Sequence, residues 1–313
     1  MKKAYFFFLF GVYGYFTYSQ VFMRPNEWKK YKRELFFTAG TSNFLGDLGG
    51  SPADASHYTP KDLNFNQSRV AIGFGGRYKL KRYVNVAAKF SYLNVKGDDA
   101  ATTNIYRENR NLNFKSNIYE LTGRIEGGYQ STKRGGNRYG IRKNYGRMKA
   151  VTHNLFAFVG AGVFYFNPKG QAPDGSWVTL YNLHTEGQGL PGGPKQYSRV
   201  GFSIPIGGYY KFTWNKIWSV GLEFSYRKTF SDYIDDVGSS YYNPAALTAN
   251  YGPLSAQMAD PSLGNIPGAT MPAADGTPAV RGDKQKDAYM SLEIMVSYIF
   301  KKQRKSYRLR SKF

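Results

Sequence analysis

Apolar side chains alternate with polar or small ones along several stretches of this chain, and the last is the cleanest. In residues 288–300, AYMSLEIMVSYIF, one face carries Leu292, Ile294, Val296, Tyr298 and Phe300. The other carries Ser291, Glu293, Met295, Ser297 and Ile299. A period of two predicts a β-strand. A strand that is greasy on one side, mixed on the other and aromatic at one rim fits a membrane-spanning barrel better than a soluble core.

The same pattern predicts seven earlier strands, at about 34–44, 68–80, 84–96, 114–129, 152–166, 197–212 and 217–230. In the second, Val70, Ile72, Phe74, Tyr78 and Leu80 alternate with Ala71, Gly73, Gly75, Arg77 and Lys79, and a tight turn at 81–83 leads into the third. The fifth is apolar on both faces, so the pattern leaves its inner side open. The sixth contains Pro205, which demands a bulge or an unpaired position. Eight strands place both ends of the barrel on one side. On that side the turns at 81–83 and 213–216 are short, whereas the far-side connections are long and rich in Gly, Pro, Asp and Ser. This is the asymmetry of outer-membrane barrels, whose short turns and termini are periplasmic. The last strand pairs back to the first to close the barrel. The segment 130–151 is the one long connection on the periplasmic side, and the chain continues beyond Phe300 with KKQRKSYRLRSKF.

The first residues change the compartment. Lys2 and Lys3 precede an apolar run, and Thr17-Tyr18-Ser19 offers small residues for cleavage before Gln20, as in a secretory signal peptide. The expected organisation is a signal peptide at 1–19, a periplasmic lead-in at 20–33, an outer-membrane barrel at 34–300 and a basic periplasmic tail at 301–313. A mean hydropathy of −0.51 opposes helical membrane spans but not a barrel, in which only alternate residues meet lipid. The chain has no cysteine, which removes disulfides, thiolate metal sites and cysteine nucleophiles.

A formal charge of +22 would ordinarily suggest nucleic acid. Its distribution argues otherwise. Basic residues concentrate in the lead-in, around the 81–83 turn, in the connector (including Arg138, Arg142, Lys143 and Arg147) and in the tail (including Lys301, Lys302, Arg304, Lys305, Arg308 and Arg310). All lie on the periplasmic side of the predicted barrel, while the outer loops lean acidic. Such a one-sided collar either lies against lipid phosphates or docks an acidic periplasmic partner. No nucleic-acid partner is expected.

The inward faces carry Arg77, Lys89, Glu120, Arg124, Glu126, Glu223, Arg227 and Glu293. Eight strands enclose a lumen that side chains fill, so these residues are expected to be structural ion pairs that make the barrel solid. His57, His153 and His184 are scattered and lack metal-ligand spacing. No nucleophile–base pair stands near the outer rim, and Gly73-Phe74-Gly75-Gly76 lies within a strand and not before a helix, as a phosphate loop would. Asp235-Asp236 could take calcium, though adjacent loop acids are more often simply solvated. No cofactor, metal or catalytic residue is expected, and the protein reads as non-enzymatic.

Four stretches, residues 40–50 (GTSNFLGDLGG), 111–120 (NLNFKSNIYE), 160–168 (GAGVFYFNP) and 228–237 (KTFSDYIDDV), together with the leader and closing strand, resemble the PorG family of outer-membrane barrels from Bacteroidetes-type bacteria. The resemblance covers most of the mature chain in order. It implies a structural part in the type IX secretion system, beside periplasmic ring proteins of the PorK and PorN kind and embedded in outer-membrane lipid. The family motifs are not catalytic, so no active-site residue carries over. The long basic connector and tail are less typical of the family. The reading that competes with it is a stand-alone surface barrel whose outer loops bind a ligand or mediate adhesion.

Overall fold

A computed structural model describes residues 27–48, 67–101, 104–133, 151–214, 216–272, 277–282 and 285–302. The strands, in chain order, are β1 (Arg33–Leu45), β2 (Arg69–Lys81), β3 (Val84–Asp98), β4 (Asn113–Lys133), β5 (Val151–Gln171), β6 (Trp177–Thr179), β7 (Val200–Trp214), β8 (Trp218–Thr229) and β9 (Ala288–Phe300). Every neighbouring pair is antiparallel. β1 pairs with β9 from Arg33↔Phe300 to Leu45↔Ala288, and β4 pairs with β5, so eight strands form a closed barrel. The short β6 lies outside that count and pairs only with the end of β5. The expected eight-stranded antiparallel barrel, closed by its last strand, is the observed one.

Strand ends differ from the periodicity in an informative way. β4 and β5 are each 21 residues long, and the lengthening is at both ends. A tilted strand needs only about 9–11 residues to cross a membrane. The excess at the outer end builds a wall above it. At the periplasmic end the two strands extend to Lys133 and Val151, which narrows the basic connector to 134–150. β5 also settles its own ambiguity. Thr152, Asn154, Phe156, Phe158, Phe164 and Phe166 point inward, and Leu155, Val159 and Val163 point outward. Opposite Pro205 the β5–β7 ladder is interrupted and then resumes in the same register, so the proline is unpaired toward β5 without a bulge, while it stays in register with Arg227 of β8.

The outer surface of the strands is apolar over the membrane height: Leu35, Phe74, Leu121, Val159, Phe202, Leu222, Leu292 and Ile294 are all exposed. At the periplasmic rim Tyr78, Tyr210, Trp218, Tyr298 and Phe300 form an aromatic belt, with Trp218, Tyr298 and Phe300 packed ring edge against ring face. Tyrosine and tryptophan favour that level because one end of the ring is apolar and the other wet. Among the described residues no helix is long and apolar enough to cross a membrane.

The outer mouth is closed by the long connections, which carry α1 (Ile105–Arg110), α2 (Pro244–Tyr251) and α3 (Pro253–Ala259). Their apolar residues join the top of the barrel in one core that includes Phe44, Leu48, Leu112, Phe114, Ile118, Phe164, Phe166, Ile234, Val237 and Met258. The four stretches that carry the family resemblance meet here. They are far apart in the chain and share this one core.

Candidate functional site

The lumen holds a column of ions. Among the described residues, the buried charged side chains of the barrel strands are five cations, Arg77, Lys89, Arg124, Lys211 and Arg227, and five carboxylates, Glu34, Glu120, Glu126, Glu223 and Glu293. They alternate without a break from the periplasmic end outward. Lys211 donates to Glu34, which also accepts from Arg77 Nη1 at 2.6 Å. Arg77 Nε reaches Glu126 at 2.5 Å, and Glu126 accepts from Arg124 Nε at 3.0 Å. Arg124 then grips Glu223 with two parallel bonds of 2.8 and 2.7 Å. Lys89 lies between Glu223 and Glu293, at 2.9 Å from each. Glu293 faces Arg227 Nη2 at 3.9 Å, and Arg227 Nε closes on Glu120 at 2.7 Å.

Neutral groups add further hydrogen bonds to the column, although Glu34 Oε2 is buried without a partner among the described residues. Tyr209 Oη donates to Glu126 at 2.8 Å, Ser203 Oγ to Glu120 at 2.6 Å, Tyr289 Oη to Glu120 at 3.0 Å and Ser291 Oγ to Glu293 at 2.6 Å. The guanidinium of Arg77 lies over Tyr209 and Phe36, 4.4 and 4.7 Å from their centroids, and that of Arg124 over Phe158 at 4.2 Å. Aromatic faces suit weakly hydrated guanidinium groups. Inward glycines make the room: a Cβ on Gly73 would collide with Lys89 Cε, and one on Gly75 with the Phe36 ring. The glycine-rich run of β2 thus serves packing within a strand.

All eight interior residues expected from the sequence stand in this column. Glu34 and Lys211 complete it and were not anticipated. Their signal was present in the alternation: Lys211 sits between outward-facing Tyr210 and Phe212, and Glu34 between Arg33 and Leu35. Charge balance gives no further hint, because the eight expected residues are already four cations against four carboxylates, and Lys211 and Glu34 neutralise each other.

The outer mouth is not balanced but acidic. Asp47, Asp99, Glu186, Asp232, Asp235, Asp236 and Asp287 are buried there, and Arg281 is the fully buried cation among them. Arg281 donates to Glu186 at 3.1 Å and to the Asp236 carbonyl at 2.7 Å, while Arg110 pairs with Asp99 at 2.7 Å. Asp235 and Asp236 are therefore not solvated loop acids, as adjacent acids usually are. The segment folds inward because Ile234 and Val237 on either side enter the cap core. Burial raises the carboxyl of Asp236 to about 6, against the pull of Arg281 and of hydrogen bonds from Thr185 and Tyr197. Burial raises Asp235 and Asp287 well above the usual range, and neighbouring carboxylates add to it. Among the described residues no group of three or more histidine or acidic side chains is arranged to hold a metal ion. His153 hydrogen-bonds Tyr210 at 2.7 Å, and His184 stacks on Tyr251.

The periplasmic end, by contrast, is basic. A 3-10 turn (Glu27–Lys30) folds under the barrel, and the Lys302 N–H donates to the Lys30 carbonyl at 2.8 Å, tying the lead-in to the end of β9. Lys29, Lys30, Lys32, Arg33, Lys301 and Lys302 line one pocket there, of about 500 Å³. Of the expected partner-binding cations, Lys301 and Lys302 stand in this pocket. Arg138, Arg142, Lys143, Arg147, Arg304, Lys305, Arg308 and Arg310 lie outside the described residues, as does the leader at 1–19.

Closure, a solid ion-paired lumen, an apolar belt and short turns on the side of the termini decide the architecture. The chain is an eight-stranded barrel of the outer-membrane type. No protein-family model matches it, and no curated protein does. Among solved structures it is similar to Ail, the attachment invasion locus protein of Yersinia pestis, seen in complex with the heparin analogue sucrose octasulfate. Identity is 9%, with 86% of this chain and 98% of that chain covered and a TM-score of 0.35. It is similar also to Neisserial surface protein A (NspA), at 9% identity, covering 86% of this chain and 97% of that one, with a TM-score of 0.32. The fold assignment rests on the strand pairing itself.

Proposed function

We propose that this barrel is a non-enzymatic outer-membrane anchor for a protein-secretion machine of the type IX kind, docking periplasmic ring proteins resembling PorK and PorN through its basic periplasmic face. The observation that carries the reading is the division of charge. The lumen is neutral and filled, so the barrel conducts nothing through itself, and the cations gather where a periplasmic partner would meet them. A concentrated positive face steers and orients an acidic partner. The ordered set of motifs that resemble the PorG family supplies the specific assignment.

Gentle detergent extraction from the native membrane, with identification of attached proteins at low and high salt, tests it. The expected result is an acidic periplasmic protein that stays bound at low salt, leaves at high salt, and is lost when 134–150 and 303–313 are replaced by neutral linkers. A barrel that purifies alone at low salt, with secretion intact after both replacements, refutes it.

The surface-barrel reading has one observation in its favour. The outer cap is a packed structure that presents Ile105, Tyr106, Met271 and Val280 to solvent. Substituting Tyr106 and Val280 by serine leaves the cap core untouched and separates the readings: loss of cell-surface binding with secretion unchanged favours adhesion.

A further inference from the structure

The lipid-facing wall is not uniformly bulky. At the periplasmic end of β1–β3, a groove of about 660 Å³ runs between Leu35, Tyr78 and Val86, with Gly76 and Ala88 as its floor. The strand register explains it. Leu35, Gly76, Ala88 and Gly123 lie side by side on four adjacent strands, so beyond Leu35 a row that elsewhere carries large side chains drops to almost bare backbone. A Cβ on Gly76 would meet only Leu35 Cδ2, at 3.8 Å, and one on Gly123 would meet nothing within 4 Å. These glycines are therefore not required by packing within the protein, in contrast to Gly73 and Gly75.

The groove does not end at the membrane edge. Arg33, Tyr78 and Phe300 line both it and the six-cation pocket beneath, so the two are continuous. Within the pocket Lys32 Nζ lies 5.5 Å from the centroids of both Trp28 and Tyr78, which holds it at the level of the aromatic belt. Backbone bonds from Lys302 to Lys30 (2.8 Å) and from Lys79 to Lys32 (2.9 Å) fix the lead-in against the strand ends. Six cations are gathered with no carboxylate among the described lining residues. Such a cluster repels itself unless an anion sits within it.

We infer that this paired groove and pocket is a binding site for one anionic glycerophospholipid of the periplasmic leaflet, its phosphate among Lys29, Lys30, Lys32, Arg33, Lys301 and Lys302 and an acyl chain over Gly76 and Ala88. The occupant must be amphipathic, because charge and apolar surface meet at one continuous opening. It must be anionic, because zwitterionic headgroups leave the six cations uncompensated. An acidic protein would use the pocket and leave the groove empty. The site stands independently of any secretion partner.

The test uses the full-length barrel, extracted in mild detergent and exchanged into bilayer discs of phosphatidylethanolamine with or without phosphatidylglycerol. Native mass spectrometry then counts lipid retained per barrel after detergent release. One phosphatidylglycerol is expected to remain, and no phosphatidylethanolamine. Neutralising Lys30 and Lys302 together (K30Q and K302Q) should weaken retention roughly thirty-fold, since each surface cation contributes about a tenfold or smaller factor. Gly76→Leu, whose Cβ would meet only Leu35 Cδ2 and whose side chain would enter the groove, should weaken it roughly tenfold by displacing one or two methylene contacts. Heat-shifted gel mobility confirms that each variant is folded, and Gly123→Ala, two strands farther along the row and outside the groove's lining, serves as a variant expected to keep the lipid. Retention unchanged in both the lysine pair and Gly76→Leu overturns the site. So does displacement by inorganic phosphate with Gly76→Leu binding normally, which reduces the pocket to a phosphate trap.

Discussion

Glu223 is the most demanding position in the ion column, and its replacement tests whether the column holds the barrel together. The carboxylate is fully buried, accepts two bonds from Arg124 at 2.8 and 2.7 Å, and accepts a third from Lys89 at 2.9 Å. Glu223→Gln preserves volume but removes the charge shared by two cations and turns an amide NH₂ toward one of them. Breaking a buried pair by removing one partner costs about 3–5 kcal/mol. Arg124 keeps Glu126 at 3.0 Å and Lys89 keeps Glu293 at 2.9 Å, so the expected loss is at the lower end, ~3 kcal/mol. Removing Lys89 as well, in the double variant Lys89→Met with Glu223→Gln, restores neutrality to the lumen. It should recover at least ~1 kcal/mol relative to the sum of the single losses. Reversible urea unfolding in lipid vesicles, followed by the fluorescence of the rim tryptophans and by gel mobility, measures both. If Glu223→Gln lies within ~0.5 kcal/mol of the parent and the double variant shows no coupling, the column does not contribute to stability and the argument fails.

Three further outcomes are expected. The buried carboxyl of Asp236, raised to about 6 in the fold, binds its proton more tightly there than in an open loop. The cap should therefore be firmest below about pH 4 and loosen as pH rises through 6, by up to ~3 kcal/mol, read as faster amide exchange over 230–240. Asp235 and Asp287 act in the same direction, and an exchange profile that tightens with pH would contradict this. Gly73→Val should displace Lys89 and lower stability by about 1–3 kcal/mol in the same unfolding assay, whereas Gly123→Ala, which meets nothing, should be near neutral. In planar bilayers the purified barrel should give no steady conductance steps, because its ten luminal charges are buried against one another; open-channel steps at neutral pH would show that the column parts.

Much of the barrel can be read from the chain because lipid imposes a period of two on it. Val70, Ile72 and Phe74 on β2, or Leu292, Ile294 and Val296 on β9, admit only one outward face. The faces of β5 could not be separated, since its inner side is made of Phe156, Phe158, Phe164 and Phe166, which fill the lumen and the cap core. The interior ions were visible as polar residues on inward positions, but their alternating order depends on register between distant strands, and no local pattern encodes it. The cap was the least legible part. Ile234, Val237, Leu247 and Met258 are isolated among Gly, Pro, Ala and Asp, with no period to mark them, yet three of them close one core with residues from β1, β4 and β5. Asp235 follows them inward, because the backbone that buries Ile234 and Val237 carries the acids with it.

The column also limits how this protein can vary. Each charge between Lys211 and Glu120 touches an opposite charge on either side, so any single replacement among them takes a partner from two neighbours at once. A lipid-facing leucine can become valine or phenylalanine in one step. A luminal charge can be lost safely only together with a neighbour of opposite sign. Across descendants of this chain, the wall is free to drift residue by residue, while the lumen changes in pairs along the order in which its ions touch.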